Sequence, residues 1–570
     1  MGVSVRDQRP PARRPAWLWL LTCLSCCAAS PNVAANENVV ISIVGTSDLH
    51  GHIEVLPTLG GYVKNLRAAR KADGGAVLLV DAGDMFQGTL ASNSTEGQVV
   101  VQAYNELGYA AAAVGNHEFD FGPVGPRDNA GDSTDDPRGA LRARAAEARF
   151  AFLMANVVDD AKGKPLTGKN LMPSVLLNAA GLKVGVVGVT TIDTPKSTLA
   201  ANIQGLHMQP LALAVATQAQ ALRQRGARIV LVLAHAGGSC RRFDVPTDIG
   251  SCATGAGDTE IFDVARALPR GAVDAIVAGH THAAVAHEVN GIPIVQSYAH
   301  GRAFGRIDLV WDARAKRVRE HHIFPPQNLC KGRSAKSPSG CVAFPYEGRK
   351  VEPDLATQRL AASAEKRVNE VSSQPLGATA SAAFQRDYDD ESALGNLVVD
   401  LMRAARPQAD VALTNGGGLR SDLAAGPITY GRLFEVVPFD NTFALASVTG
   451  KQLAAMFAHN LKSKGGFLSQ SGLQITSRCE GAKLLVRLAR PDGKPIEEGE
   501  TLTMVTNSFL ASGGDAAFEK LPFQVEAAPP LRDELVKVIG QRGGVIAPSE
   551  FTAQRRHQYP GPRPVRCPQN

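Results

Sequence analysis

Gly115-Asn116-His117-Glu118-Phe119-Asp120 follows directly on the apolar run Tyr109-Ala110-Ala111-Ala112-Ala113-Val114. An apolar run of that length bounded by glycine reads as a buried strand, with the six residues in the loop at its carboxyl end. In open α/β sheets ligands bind at that edge. Asn116 can offer a carbonyl oxygen to a cation, and His117 can donate a proton or contact a phosphate oxygen. Asp120, three residues on, is placed to hold His117 in one tautomer.

The same construction recurs on both sides. Apolar runs at 39–44, 76–80, 150–155, 184–189, 229–234 and 272–278 each end in Asp, Asn, Thr or His. Alternation of such strands with helical patterns implies an α/β domain with a mostly parallel or mixed sheet. The candidate ligands come in the order Asp48-x-His50, Asp84, Asn116, His235 and His280-x-His282. Residues two apart on a strand end project to one face, so Asp48 pairs with His50, and His280 with His282. Asp, Asn and His without a thiolate suit two divalent ions such as Zn²⁺, Mn²⁺, Fe²⁺ or Co²⁺. A carboxylate can bridge two such ions about 3.5–4 Å apart. Asp84, central in the order and preceded by Gly83, is the natural bridge.

DLHG, GD, GNHEFDFG, a lone strand-end histidine and GHTH occur here in the order found in calcineurin-like metallophosphoesterases. The chain resembles more closely the exported bacterial 5′-nucleotidase / UDP-sugar hydrolase family, over about residues 39–540. That resemblance implies a four-layer metallophosphoesterase β-sandwich flanked by helices, plus a second, α+β substrate-binding domain. It implies that Asp48, His50, Asp84 and His282 hold one ion and that Asp84, Asn116, His235 and His280 hold the other, with Zn, Mn or Co expected. His117 and Asp120 would form the catalytic dyad. In the second domain, Asn415-Gly416-Gly417-Gly418-Leu419-Arg420 resembles the segment whose Asn and Arg contact the nucleotide. Phe439 and Phe509 lie in segments resembling those that stack on the base, and Asp515 stands where an acid meets the sugar. One departure stands out: the family carries phosphate-binding arginines where this chain has Asp389-Asp390-Glu391, with Arg386 nearby but out of register. The acids read as a favourable helix N-terminus. His207, His287, His300, His321, His322, His459 and His557 read as surface or packing residues, and His52 as no ligand.

The expected activity is that of an exported two-metal phosphohydrolase of nucleotides: a 5′-nucleotidase releasing phosphate from nucleoside 5′-monophosphates by metal-activated water. A 2′,3′-cyclic-nucleotide 2′-phosphodiesterase and a UDP-sugar diphosphatase use the same chemistry on another bond. A di-metal sulfur-ester hydrolase would not need the Phe439/Phe509 slot, and a non-catalytic nucleotide-binding protein would not need His117.

At 570 residues the chain is too long for one core. The reading places a signal peptide at 1–35, the metallophosphoesterase domain at 38–320, a linker with a hinge helix at 321–376, the second domain at 377–550 and a tail at 551–570. Four arginines, a short apolar stretch and Val33-Ala34-Ala35 give residues 1–35 the form of a secretory leader, too short in its apolar part to span a membrane. Arg13-Arg14 and the loose lipobox Leu24-Ser25-Cys26-Cys27 leave twin-arginine export and a lipid anchor open. The expected place is periplasmic or extracellular. Removing the leader takes out four arginines and Asp7 and lowers the net charge from +6 to +3. That surplus points to no particular partner, and no basic stripe with interleaved aromatics suggests nucleic acid. Six cysteines remain, and short loops favour Cys240–Cys252 and Cys330–Cys341, leaving Cys479–Cys567 to tie the tail.

Overall fold

The computed structural model describes residues 38–125, 134–254, 259–333, 341–463, 465–518, 521–527 and 529–568. The expected leader, with Cys23, Cys26 and Cys27, lies outside them. Strands Asn38–Thr46, Ala76–Asp81, Ala111–Ala113 and Ala151–Leu153 run parallel at the middle of a seven-stranded sheet. Ala303–Asp312 and Arg317–Asn328 extend it antiparallel on one side, and Leu171–Met172 extends it parallel on the other. A second, six-stranded sheet has Leu182–Thr190, Ile229–His235, Ala275–Ala278 and Ile292–Ser297 parallel, with antiparallel strands at both edges.

The apolar runs are continuous because both faces of each central strand are buried. Leu78 and Val80 pack between the sheets, whereas Leu79 packs among helices on the opposite face. Ile41, Ile43, Val186, Leu231 and Val277 fill the same inter-sheet layer. Leu56–Asp73 and Gln98–Leu107 cover the outside of the first sheet, and Leu211–Gln224 and Glu260–Ala267 the outside of the second. This is the expected four-layer sandwich.

The strand expected over 109–114 is narrower, Ala111–Ala113. Tyr109 instead stacks on Tyr104, ring centroids 3.7 Å apart, with its hydroxyl 2.8 Å from that of Thr46. Strand Arg317–Asn328 crosses the boundary placed at 320 and includes Pro325 and Pro326. It lies at the sheet edge, and the prolines fall at a register shift between Phe304 and Arg306, where no ladder N–H is required.

The helix Leu355–Ser372 follows, capped by Asp354, whose carboxylate accepts from the N–H groups of Ala356 and Thr357 (3.1 and 2.9 Å). Beyond it, a five-stranded sheet centred on Val411–Asn415, Thr501–Asn507 and Phe443–Thr449 is covered by Ala393–Ala405 and Leu531–Arg542 on one face and Gly450–Lys462 on the other. The three expected disulfides, Cys240–Cys252, Cys330–Cys341 and Cys479–Cys567, are present. The acidic run directly precedes the helix Ala393–Ala405 and also binds the tail. Ser392 caps Ala393–Ala405, while Glu391 accepts the N–H groups of Arg556 and His557 and Asp390 accepts the Tyr559 hydroxyl (2.7 Å). Residues 555–559 are therefore held against the second domain well before Cys567.

The two large sheets converge toward their carboxyl edges. Ala155 N–H donates to the Gly188 carbonyl at 2.7 Å, and a Cβ on Gly188 would stand 2.3 Å from the Leu153 carbonyl oxygen. Backbone cannot yield as a side-chain tip can, so Gly188→Ala should destabilise the chain by about 1–3 kcal/mol. Thermal unfolding checks this, and an unchanged midpoint would show that the sheets tolerate wider spacing.

Candidate active site

The convergence brings loops from both sheets onto one carboxylate. Asp48, His50, Asp84 and Asn116 follow strands of the first sheet, and His235, His280 and His282 come from strand ends of the second. Asp84 is the centre: its Oδ2 lies 3.2 Å from His235 Nε2 and 3.8 Å from His50 Nε2. The nitrogen and carboxylate atoms of Asp48, His50 and Asp84 fall within 4.8 Å of one another, as do those of Asp84, His235 and His280. Asp84 is common to both groups.

Neighbouring carbonyls fix which atoms face inward. His50 Nδ1 lies 2.8 Å from the Gln87 carbonyl and His235 Nδ1 2.9 Å from that of Ala82, so each ring donates outward and turns Nε2 to the centre. Asn116 donates its amide to the Ser197 carbonyl (3.1 Å) and turns Oδ1 toward His235 Nε2 (2.9 Å). His282 Nε2 stands 3.6 Å from Asp48 Oδ1 and 2.9 Å from His50 Nε2. Two carboxylates, an amide oxygen and four imidazoles, desolvated at one point, form a donor set suited to divalent cations.

The backbone is bent to achieve this. Asp48, His50, Asp84, His280 and His282 all have left-handed φ, between 49° and 79°. Each such residue costs of order 1–3 kcal/mol, a strain that persists only where the surroundings enforce it. The enforcement is visible: Asp48 N–H donates to the Gly83 carbonyl, His50 N–H to the Asp84 carbonyl, and His280 N–H to Asp48 Oδ1 (2.9, 3.0 and 2.9 Å).

His117 and Asp120 are in contact, Nδ1 to Oδ2 2.6 Å, and Asp120 accepts the Thr198 hydroxyl on its other oxygen (2.7 Å). His117 Nε2 is 4.0 Å from Asp84 Oδ2. Burial pushes the His117 pKa down, but Asp120 and Asp84 outweigh it and leave the ring above the usual imidazole range. Burial pushes Asp84 up, yet His235, His117 and His50 hold its carboxyl well below the ordinary value.

The second domain faces this cluster across one cavity of about 1320 Å³. Arg420 reaches furthest, its guanidinium 3.3 Å from His50 Nε2. Phe439 lies against His117, rings 5.6 Å apart and 29° from parallel. Phe509 lines the same cavity, half-buried like Phe439. Asn415 donates to Asp515 (2.6 Å), and burial pushes the Asp515 carboxyl up to about 6, with Asn415 opposing. Asn415 Oδ1 is buried without a partner among the described residues, an acceptor open to a ligand donor.

Several residues with a place at the site were not identified from sequence. Arg386, out of register in the sequence, lines the cavity and donates to the Leu419 carbonyl (2.7 Å). Glu118, unassigned within GNHEFD, is buried and accepts the N–H groups of Asp84, Met85 and Gly115 at 2.9, 2.7 and 2.7 Å. His300, read as a surface or packing residue, stands with its ring beside His50 and His282. His52 bonds Glu54 at 2.8 Å, and His207 and His321 pair with Asp160 and Glu288. His459 lines the cavity.

Residues 41–284 match the calcineurin-like phosphoesterase family, and residues 370–522 match the 5′-nucleotidase C-terminal domain. Over those two stretches the chain is similar to a calcineurin-like phosphoesterase followed by a 5′-nucleotidase C-terminal domain, neither match alone reaching half of its length. Endonuclease YhcR of Bacillus subtilis (strain 168) is 28% identical over 511 residues, 86% of this chain and 38% of that protein, so the chain spans less than two thirds of that relative. The 5′-nucleotidase of Rattus norvegicus is 26% identical over 96% of this chain and 94% of its own length. The crystal structure of the 5′-nucleotidase precursor from Thermus thermophilus superposes with a TM-score of 0.71 at 23% identity, covering 91% of this chain and 99% of that one, a likeness of fold.

Glu118→Gln tests how the Asp84 loop is held. The amide replaces one acceptor oxygen with a donor facing an N–H, leaving at least one buried N–H unpaired at about 1–3 kcal/mol. The expected result is a lower unfolding midpoint together with weaker retention of divalent ions on dialysis; wild-type behaviour in both would remove Glu118 from that role.

Proposed function

We propose that this chain is an exported phosphohydrolase of nucleotides that releases phosphate from nucleoside 5′-monophosphates. The observation that carries the reading is the single cavity, with Asp84, Asn116 and His117 lining one part and Asn415, Phe439, Phe509 and Asp515 another. A phosphate and a flat base on one small molecule match those two chemistries.

Asp48, His50, Asp84 and His282 would hold one divalent ion and Asp84, Asn116, His235 and His280 the other, with Zn, Mn or Co suited to the mixed nitrogen and oxygen donors. Two such ions, when bound, supply positive charge to the phosphoryl oxygens and a water acidic enough to attack near neutral pH. His117, whose hold on a proton Asp120 and Asp84 strengthen, would donate toward the charge that develops on the phosphoryl group. Arg420, with Arg386 in the same cavity, adds fixed positive charge beside the phosphate, the task that arginines in another register were expected to perform. Phe439 and Phe509 grip the base by stacking, which tolerates base identity. Asn415 and Asp515 meet the sugar hydroxyls. The three disulfides accord with export into an oxidising compartment, and no helix among the described residues is long and apolar enough to cross a membrane. The domain division that fits this reading is a metal-binding unit from residue 38 to the end of strand Arg317–Asn328, a linker helix, and a substrate-binding unit that keeps its tail.

A second reading concerns the size of the substrate. At about 1320 Å³ the cavity exceeds the ~300–1,000 Å³ of ordinary small-molecule sites and runs on to Arg555, Tyr559 and Arg563 of the tail. That room favours a larger nucleotide such as a UDP-sugar over a cyclic one.

Hydrolysis should be measured on the mature protein, stripped of metal and then reloaded with Mn²⁺ or Zn²⁺, as phosphate release from AMP, formation of 3′-AMP from 2′,3′-cyclic AMP, and formation of UMP and glucose 1-phosphate from UDP-glucose. Metal-dependent turnover of AMP that falls about 100-fold or more in His117→Ala is expected. Turnover of another nucleotide alone would move the substrate, and no turnover of any would end the reading. Separately, alanine at both Phe439 and Phe509 should raise KM for the nucleotide by about 10-fold or more, each stacked ring being worth ~1–3 kcal/mol. An unchanged KM would exclude the slot.

A further inference from the structure

His300 occupies an unusual place for a residue with no assigned task. It sits in the turn between Ile292–Ser297 and Ala303–Asp312, and its φ is 55°, with Tyr298 at 63° in the same turn. Imidazole gains nothing from this backbone, which Gly or Asn adopts more readily. The turn is nevertheless fixed at several points. Tyr298 N–H donates to the Ala283 carbonyl (2.8 Å), and Gly301 packs so closely on Val55 that a Cβ there would meet its side chain at 2.2 Å. His300 N–H itself donates to the carbonyl of Asp48 (2.8 Å), one of the proposed metal ligands.

The ring lies 5.5 Å from that of His50 and 5.7 Å from that of His282, edge-on to both, and each of the three offers a nitrogen within 4.8 Å of the other two. On its other side it is backed by His52, ring centroids 4.5 Å apart, which Glu54 holds at 2.8 Å. Among the described residues neither ring nitrogen of His300 has a hydrogen-bond partner. A histidine in a strained backbone, tethered to a ligand residue and with an unengaged ring beside two further ligands, is built to bind.

We infer that His300 is an additional ligand of the ion held by Asp48, His50, Asp84 and His282, which makes this a three-imidazole, two-carboxylate site. The inference rests on the two-metal reading above. Three imidazoles give this position more nitrogen than its neighbour, whose donors are Asp84, Asn116, His235 and His280. Nitrogen-rich sets favour Zn²⁺ or Co²⁺ over Mg²⁺ or Mn²⁺. The two positions therefore differ in preference, with the nitrogen-rich one the more selective.

The test is metal binding rather than turnover. His300→Asn and His300→Gly both accept the left-handed backbone, so either can remove the imidazole without adding strain. Wild type and variants are stripped, reloaded with Zn²⁺ or Co²⁺, and assayed for ions per chain, for affinity against a competing chelator and for the visible spectrum of bound Co²⁺. The expected result is two ions per wild-type chain, with one of the two bound about 10–100-fold more weakly in both variants, the range that even outer partners of metal ligands command. The Co²⁺ spectrum should change with it, while the unfolding midpoint of the stripped protein stays that of wild type. Variants that match wild type in affinity and spectrum would overturn the assignment and leave the two-metal reading standing. A wild-type chain that retains no pair of ions would overturn both.

Discussion

Asp84 has to be reached by side chains from two separate sheets, and most of the site's construction follows from that. Its carboxylate lies within 4.0 Å of His50, His117 and His235, so three imidazoles from different strand ends depend on one anion. Close approach makes this possible. A Cβ on Gly115 would fall 2.2 Å from Asp84 Oδ1, and Gly83 adopts a φ of 96° that a side chain would resist. The buried Glu118 carboxylate then gathers the N–H groups of Asp84, Met85 and Gly115 and locks the two loops together. Five candidate ligands in left-handed conformations represent several kcal/mol of local strain, which the packed sheets on either side sustain.

The second domain completes the site from far along the chain. Arg420 and Phe439 reach His50 and His117 directly, and the cavity continues from there to Phe509 and Asp515. Positive charge is thus set where a phosphate would lie and aromatic surface where a base would lie. The chain also spends its acidic run in an unexpected way. Asp390 and Glu391 engage residues 555–559, bringing the tail to the cavity rim and leaving Arg386 to stand beside Arg420.

The strand-end motifs were legible in the sequence for a physical reason. A strand buried on both faces must be apolar throughout, so the polar residues at its end stand out, and the spacing in Asp48-x-His50 or His280-x-His282 fixes a shared face locally. The three disulfides were legible in the same way, from short loops and an even count. The hinge helix expected within 321–376 is Leu355–Ser372. The strand Arg317–Asn328 was not legible, because Pro325 and Pro326 argue against a strand unless its place at a sheet edge and its register shift are known.

The sequence by itself determined the chemistry available: carboxylates, imidazoles and an amide at strand ends, a glycine-rich turn with an arginine, and two aromatics in matching segments. Tertiary structure alone decided which of these meet. His300 and His207 look alike in sequence, yet one lies beside two candidate ligands and the other pairs with Asp160 at the surface. Arg386 is out of register along the chain and in place within the cavity. Glu118 is one acid among many until three backbone N–H groups converge on it. The difference is that residue type is local, whereas proximity depends on the order of strands in two sheets and the angle at which they close, which the packing of the whole core sets.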